Sequence, residues 1–242
     1  MKKGDVAALV ILSLFGPLIW LLGCCLRCIS EYGWWTLAIV AGAVVLLPVS
    51  SFLHEVGHML FGAIVKIKAV PKFSLFGSSS CKIIPKTDKN LKQRFIFTAL
   101  GGLIINFLLL LFSVIAAIDA VGLPFWASAF FPSCWYLIAL NVLPLTYSSG
   151  KTDVNVVWEL AANEPCAKVL LAVLTVQAQV LNGKPIEEVD ENLLFDLPQI
   201  QEDDQAFISL TELRYEYFKA KGDEEKAALW HNRFEELKKE YL

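Results

Sequence analysis

Two of the three histidines in the chain lie four residues apart, in the segment His54-Glu55-Val56-Gly57-His58. Side chains four residues apart share one face of a helix, so these two imidazoles can bind one Zn²⁺. Glu55 stands beside them and can accept a proton from water at the metal, which is the arrangement of HExxH metalloproteases. The spacing predicts a zinc hydrolase with His54 and His58 as metal ligands and Glu55 as the catalytic base.

The surroundings of this motif favour a functional role. Glu55 is the one charged residue between Trp34 and Val65. An ionisable group inside an apolar span is costly, and such groups usually mark functional sites. The alternative is that the three side chains are ordinary helix residues satisfied by their neighbours. That alternative does not explain why two of three histidines flank this glutamate.

The composition of the chain predicts a membrane protein. Of its 242 residues, 56% are hydrophobic and only 19% are charged, which is too apolar for an ordinary soluble domain. The first 150 residues have basic loops, whereas the segment after Lys184 is rich in Glu and Asp. No basic surface of the kind that binds nucleic acid is present in the sequence, so nucleic acid is excluded as a partner.

Apolar stretches long enough to cross a bilayer predict an all-α polytopic protein with about four transmembrane helices. They lie at 6–26, 34–65, 95–118 and 124–145. The first stretch is also compatible with a signal peptide, although its length favours a retained span. The lipid bilayer is therefore the environment we expect for the first two thirds of the chain.

The loop at 66–94 carries eight basic residues from Lys66 to Arg94 and one acid, Asp88. By the positive-inside rule this loop is cytoplasmic, and an even number of crossings places both chain termini on the same side. Apolar and polar residues alternate along it, with a turn near Gly77, which predicts a small β-hairpin or sheet. The alternative is a solvated basic loop without strands.

A third metal ligand must come from elsewhere, because catalytic zinc usually has three protein ligands and one open position. The end of the fourth span contains Pro144 and Gly150, which predict irregular backbone that returns to the level of the histidines. Asp153 follows, and it is the candidate third ligand. The alternative is that Asp153 only caps the helix that starts near Val154.

The sequence divides the chain into a first helix with its outer loop at 1–33, a membrane core at 34–153 and a cytoplasmic helical domain at 154–242. The last part contains a predicted helical hairpin around Gly222, which resembles a tetratricopeptide unit. This acidic domain is where we expect a cytoplasmic partner or self-association.

Three motifs on successive spans resemble those of the site-2 protease family of intramembrane zinc metalloproteases. The family pattern HExGH corresponds to the segment from His54 to His58. The pattern GxxxN corresponds to the segment from Gly102 to Asn106, with Leu103 where the family usually has Pro. The pattern NxxP followed by Asp corresponds to the residues Asn141, Pro144 and Asp153, with Val154 where Gly usually follows.

The resemblance implies hydrolysis of peptide bonds within or near transmembrane segments of other membrane proteins. It implies Zn²⁺ held by His54, His58 and Asp153, with Glu55 as the catalytic base. It also implies substrate-binding roles for Asn106 and Asn141. Membrane-anchored regulators such as anti-sigma factors, or residual signal peptides, would be the substrates, and a bacterial cell membrane would be the location.

Two other functions are compatible with the same residues. The first is a membrane metalloprotease of the HtpX-like kind, which acts on cytoplasmic segments and uses a downstream glutamate as third ligand; Glu159 is the nearest candidate. The second is a membrane adaptor that retains the fold and binds helices without cutting them.

Overall fold

The computed structural model describes residues 10–23, 33–73, 80–118, 125–147 and 150–241. Over this part of the chain the fold is mostly helical, with two small antiparallel sheets. The elements up to residue 151 are α1 (Val10–Gly23), α2 (Trp35–Ile64), β1 (Ile67–Lys72), β2 (Ser80–Pro85), α3 (Leu91–Ala117), a 3₁₀ helix (Phe125–Ala129), α4 (Phe130–Val142), β3 (Thr146–Tyr147) and β4 (Gly150–Lys151). They are followed by α5 (Asp153–Ala162), α6 (Pro165–Leu181), a 3₁₀ turn (Ile186–Glu188), α7 (Asn192–Phe195), α8 (Gln205–Ala220) and α9 (Glu224–Tyr241).

Two helices among the described residues are long and apolar enough to cross a membrane, Leu37–Ile64 within α2 and Leu91–Ala117, which is α3. They correspond to the predicted spans at 34–65 and 95–118. Helix α3 starts four residues earlier than predicted because Leu91 and Phe95 are already buried in the core. Helices α5 and α6 satisfy the same criterion only as a pair, and they are bent by 95° relative to each other.

The other two predicted spans are shorter as helices. Helix α1 covers the middle of the stretch at 6–26, whose ends lie outside the described residues. The stretch at 124–145 contains the 3₁₀ helix followed by α4, which has 13 residues. A total of four crossings therefore stays a prediction.

Helices α2 and α3 cross at a pair of glycines. A Cβ atom on Gly101 would lie 2.5 Å from the carbonyl oxygen of Gly57, so the crossing requires two residues without side chains. Small residues of this kind allow membrane helices to approach closely. Helix α4 packs beside both, and the hydroxyls of Ser50 and Ser133 are 2.7 Å apart across the buried contact. Because Gly57 lies inside the histidine motif, the crossing brings α3 directly against that motif.

The predicted β-hairpin is present after α2. Strands β1 and β2 pair antiparallel, from Ile67 opposite Pro85 to Lys72 opposite Ser80. Ile67 and Ala69 are buried, whereas Lys68 is exposed, as the alternating sequence predicts. Of the turn predicted at residues 77–80, residues 77–79 lie outside the described residues, and Ser80 is the first residue of β2. The buried face of the hairpin rests on α3 and α5.

The C-terminal helices pack onto the core through α6. One side of α6 joins β1, α3 and α5 in a cluster of buried residues: Ile67, Leu91, Phe95, Leu160, Ala167 and Leu174. Its other side joins α8 in a second cluster that includes Val169, Val173, Val176, Leu210, Leu213 and Tyr217. Helices α8 and α9 form the predicted hairpin, with Gly222 at a φ of 75° in the turn. Its tetratricopeptide character and the division at 153 stay predictions.

Candidate metal centre

Helix α2 and the start of α5 bring three side chains together. One ligand atom from each of His54, His58 and Asp153 lies within 4.8 Å of the others. His54 Nε2 is 3.2 Å from Asp153 Oδ2, and His58 Nε2 is 3.5 Å from Asp153 Oδ1. The two Nε2 atoms are 3.2 Å apart, and both imidazoles are buried. These three residues could therefore hold one metal ion.

The other ring nitrogen of His58 is held by the neighbouring helix. Nδ1 lies 2.9 Å from the carbonyl oxygen of Thr98 in α3, and a carbonyl can only accept, so Nδ1 carries the proton. Nε2 is then left with its lone pair facing Asp153. A histidine that binds a metal usually donates its second N–H to a carbonyl or carboxylate in this way.

His54 has a similar contact with Asn106. The amide nitrogen of Asn106 is 3.0 Å from His54 Nδ1, and Asn106 is fully buried in α3. No described residue donates a hydrogen bond to the amide oxygen. If the amide turned by half a rotation, this oxygen would accept the Nδ1 proton that an imidazole ligating through Nε2 must carry. Asn106 therefore contacts the imidazole of a candidate ligand, and its predicted role in binding substrate stays a prediction.

Asp153 is positioned by the residue before it. Thr152 is the N-cap of α5, and its hydroxyl accepts from the backbone N–H of Asn155. The same hydroxyl donates to the carbonyl of Leu143 at 2.7 Å and accepts from Leu145 N–H. Because Thr152 performs the capping, the carboxylate of Asp153 is free to point toward the histidines.

The space for an ion is provided by Gly102. A Cβ atom there would lie 2.5 Å from His54 Cε1 and 2.7 Å from His58 Nε2. Asp153 Oδ2 is buried and lies 3.2 Å from His54 Nε2, but it makes no hydrogen bond of regular geometry within the part of the chain that the structure describes. Two imidazole nitrogens and a carboxylate are a donor set that zinc accepts. The residues at this site therefore fit a zinc ion, and imidazole ligands also suit other divalent transition metals.

Glu55 lies beside the cluster and is 5% exposed. One of its carboxylate oxygens, Oε2, has no hydrogen-bond partner in the described parts of the chain. The thiol of Cys81 in β2 lies against this carboxylate, and burial together with the charge of Glu55 raises the pKa of Cys81 to about 12. The thiol is therefore neutral and can act only as a weak donor to Glu55. Sequence reasoning missed Cys81, although strand alternation places it on the same face as Ile83.

The cluster opens into a cavity of about 1320 Å³ between the membrane core and the C-terminal helices. Asn141 lines this cavity, and its amide donates to the carbonyl of Leu137 in its own helix. Residues of β2, α6 and α8 also line this cavity. A polypeptide segment that reaches the histidines would run through it.

A second polar cluster in the same cavity surrounds Lys151. Its ammonium is 2.8 Å from Glu159 Oε2 and 2.7 Å from Asp204 Oδ2. Burial lowers the pKa of Lys151, but hydrogen bonds to the two carboxylates outweigh burial and raise it overall. Glu159, the alternative third ligand, therefore pairs with a lysine. No local pattern predicts this cluster, because its partners are 8 and 53 residues away from Lys151.

Comparison of the chain with protein-family models, with curated proteins and with solved structures finds no match. The resemblance to the site-2 protease family therefore depends on the three motifs and on the residues of the cluster.

Proposed function

We propose that this chain is an intramembrane zinc metalloprotease of the site-2 protease type, which hydrolyses peptide bonds within or near transmembrane segments. One observation carries the proposal. The helix that holds His54, Glu55 and His58 is long and apolar enough to cross a membrane. The carboxylate of Asp153, at the start of α5, lies beside both imidazoles. A buried, metal-competent cluster with a carboxylate beside it is what peptide hydrolysis requires.

The chemistry divides between the ion and the glutamate. A bound Zn²⁺ supplies Lewis acidity, which makes water nucleophilic near neutral pH and polarises a carbonyl. Glu55 accepts the proton of the attacking water and later donates it to the leaving amine. Its burial and its oxygen without a hydrogen-bond partner support this role, because such a carboxylate has an unused acceptor next to the ligands.

The substrate must unwind before it can be cut, since a transmembrane helix uses its carbonyls in internal hydrogen bonds. Strand β2 borders the cavity and pairs with β1 on one edge only, within the part of the chain that the structure describes. An unwound substrate would pair with its other edge as an added strand, which replaces the lost helical hydrogen bonds. Asn141, which lines the same cavity, would contact the substrate there, and Asn106 would act close to His54.

The proposed topology has four crossings and both termini in the cytoplasm. The basic hairpin at 66–94 supports this orientation by the positive-inside rule. The substrate-facing cavity and the helical domain at 154–242 would then lie at the cytoplasmic side of a bacterial cell membrane. The partner would be a membrane protein with a transmembrane helix, and the helical domain would bind a cytoplasmic partner or a second copy.

Cleavage of a single-span membrane substrate, reconstituted with purified enzyme, tests the proposal. Replacing Glu55→Gln should lower the rate about 10²–10⁴-fold while zinc stays bound, because the base is lost and the ligands remain. Glu212→Gln removes an exposed glutamate on α8 and should change neither quantity. Equal cleavage by wild type and Glu55→Gln would remove the assigned role of Glu55. Membrane proteins that accumulate uncut in a strain carrying Glu55→Gln would identify the substrate.

A further inference from the structure

The cluster around Lys151 links the metal centre to the C-terminal domain. Lys151 is the residue before Thr152, which caps α5, and it is two residues before the candidate ligand Asp153. Its ammonium contacts Glu159 in the second turn of α5 and Asp204 at the start of α8. The side chains of these three residues are 10–19% exposed, so the contacts are largely shielded from water.

The two carboxylate oxygens of Asp204 make two different contacts. Oδ1 accepts from the backbone N–H of Ala206 and caps α8, whereas Oδ2 accepts from the ammonium of Lys151. Ala206 is itself part of the buried core that α8 shares with α6. The side chain of Asp204 therefore joins the N-terminus of α8 to Lys151, because one of its oxygens bonds to α8 and the other to the ammonium.

The segment that leads into Asp153 is held by local contacts and by the packing of α5. Strands β3 and β4 are two residues long, and Thr152 bonds to Leu143 and Leu145 of the same segment. Asp153 is the first residue of α5, which packs against α3, α4 and α6. The contact between Lys151 and Asp204 adds a side-chain link from this segment to α8. Charge-assisted hydrogen bonds between largely buried groups are strong, and removing one partner leaves an uncompensated charge.

We propose that Lys151 is a positioning residue for the third metal ligand, and that Asp204 makes this positioning depend on the C-terminal helical domain. While the pair is closed, the carboxylate of Asp153 is held within reach of both imidazoles. A partner or a domain movement that separates Asp204 from Lys151 would loosen Asp153 and weaken the metal site. The inference rests on the proposed zinc site, and it assigns the domain at 154–242 a regulatory role at that site.

The test is the zinc affinity of the full-length protein in detergent, measured by competition with a chromophoric chelator, together with the visible spectrum of the Co²⁺-substituted protein. Lys151→Gln should weaken zinc about tenfold, the lower end of the loss for a direct partner of a metal ligand, because Lys151 contacts Glu159 and Asp204 and acts on Asp153 only through them. Asp204→Asn should weaken it about tenfold. Asparagine caps a helix as well as aspartate, so this variant removes the ion pair and keeps the cap of α8.

Two variants serve as controls for charge and for folding. Lys151→Arg keeps the positive charge and should bind zinc within about threefold of wild type, with the wild-type Co²⁺ spectrum. Lys221→Gln removes a lysine from an exposed pair with Glu191 of the same 2.7 Å length, and it should change neither measurement. The double variant of Lys151→Gln and Asp204→Asn should bind zinc no more weakly than Lys151→Gln alone, because both changes break one link.

Three results would overturn the inference. Wild-type affinity in both Lys151→Gln and Asp204→Asn, together with a large loss in Asp153→Asn, would refute the positioning role and leave the metal centre intact. Losses that add in the double variant would show two independent effects and refute the link to the domain. Equal affinity of wild type and Asp153→Asn would refute the proposed centre, and the inference with it.

Discussion

The cavity contains two polar clusters, which differ in whether their buried polar atoms have partners. Around Lys151, one ammonium is matched by two carboxylates at 2.7 and 2.8 Å. At the histidines, one oxygen each of Asp153, Glu55 and Asn106 is buried without a hydrogen-bond partner among the described residues. Burying such groups costs free energy unless a partner arrives. The charged groups of the first cluster pair with one another, whereas the second has two imidazole nitrogens and a buried Asp153 oxygen that a cation would satisfy.

The largest expected difference between the two clusters comes from neutralising one acid in each. Asp153→Asn should weaken zinc binding by more than about a hundredfold, because it removes a ligand, whereas outer contacts alone are worth about 10–100-fold. Glu159→Gln should retain zinc binding, because Lys151 keeps Asp204 as its partner. Zinc per chain and zinc affinity of the purified variants measure both effects. The opposite result, with Glu159 required and Asp153 dispensable, would favour the HtpX-like alternative.

The space beside the histidines gives the next largest effect. Gly102→Ala places a Cβ atom against both imidazoles, and overpacking of this kind costs about 1–3 kcal/mol. We expect the upper end, roughly a hundredfold loss of zinc affinity, because the overlapped atoms belong to the ligands. Gly42→Ala is a matched control on α2, where a Cβ would meet nothing within 4 Å. If both variants bind zinc like wild type, the site lies away from Gly102.

Replacing Asn106 and replacing Asn141 should have different effects on zinc affinity. Asn106→Leu removes the contact with His54 and should weaken zinc about tenfold, the lower end for an outer-shell partner. Asn141→Leu should leave zinc affinity unchanged, because its amide bonds to its own helix. If Asn141 binds substrate as proposed, this variant raises KM for cleavage. An equal loss of zinc affinity in both variants would show that the contact between Asn106 and His54 does not account for the loss.

The smallest effect is expected at Thr152, which lies between the two clusters. Thr152→Val removes a cap and a buried hydroxyl that bridges the loop, and it should lower the free energy of unfolding by about 1–2 kcal/mol. Thr152→Ser keeps the hydroxyl and should retain most of this stability. Unfolding in detergent, followed by circular dichroism, measures the difference. A stable valine variant would show that other contacts hold the loop.

The sequence predicted the parts of the molecule that depend on local patterns. The histidine spacing fixed one helix face, and the alternation from Ile67 onward predicted the hairpin. It also named Asp153 as a candidate third ligand, with a helix cap as the alternative, and the structure places Asp153 beside both histidines. The choice between ligand and cap for Asp153 needed coordinates, since only the structure shows that Thr152 is the cap.

Contacts between distant parts of the chain were not predictable in the same way. Lys151 and Asp204 are separated by 53 residues, and each alone has the sequence context of an ordinary surface charge. Cys81 meets Glu55 because the hairpin folds back against α2, and no local pattern encodes that approach. The pair of Lys151 and Asp204 depends on how α6 and α8 pack onto the core. The periodicity of apolar residues along the sequence does not determine that packing.

X-ray absorption at the zinc edge of the zinc-loaded, full-length protein tests the central claim most directly. Our account predicts one zinc per chain with scattering from two imidazoles and one carboxylate oxygen, at about 2.0–2.2 Å and without sulfur. A sulfur shell near about 2.3 Å, or zinc that scatters from no imidazole, would contradict the centre formed by His54, His58 and Asp153.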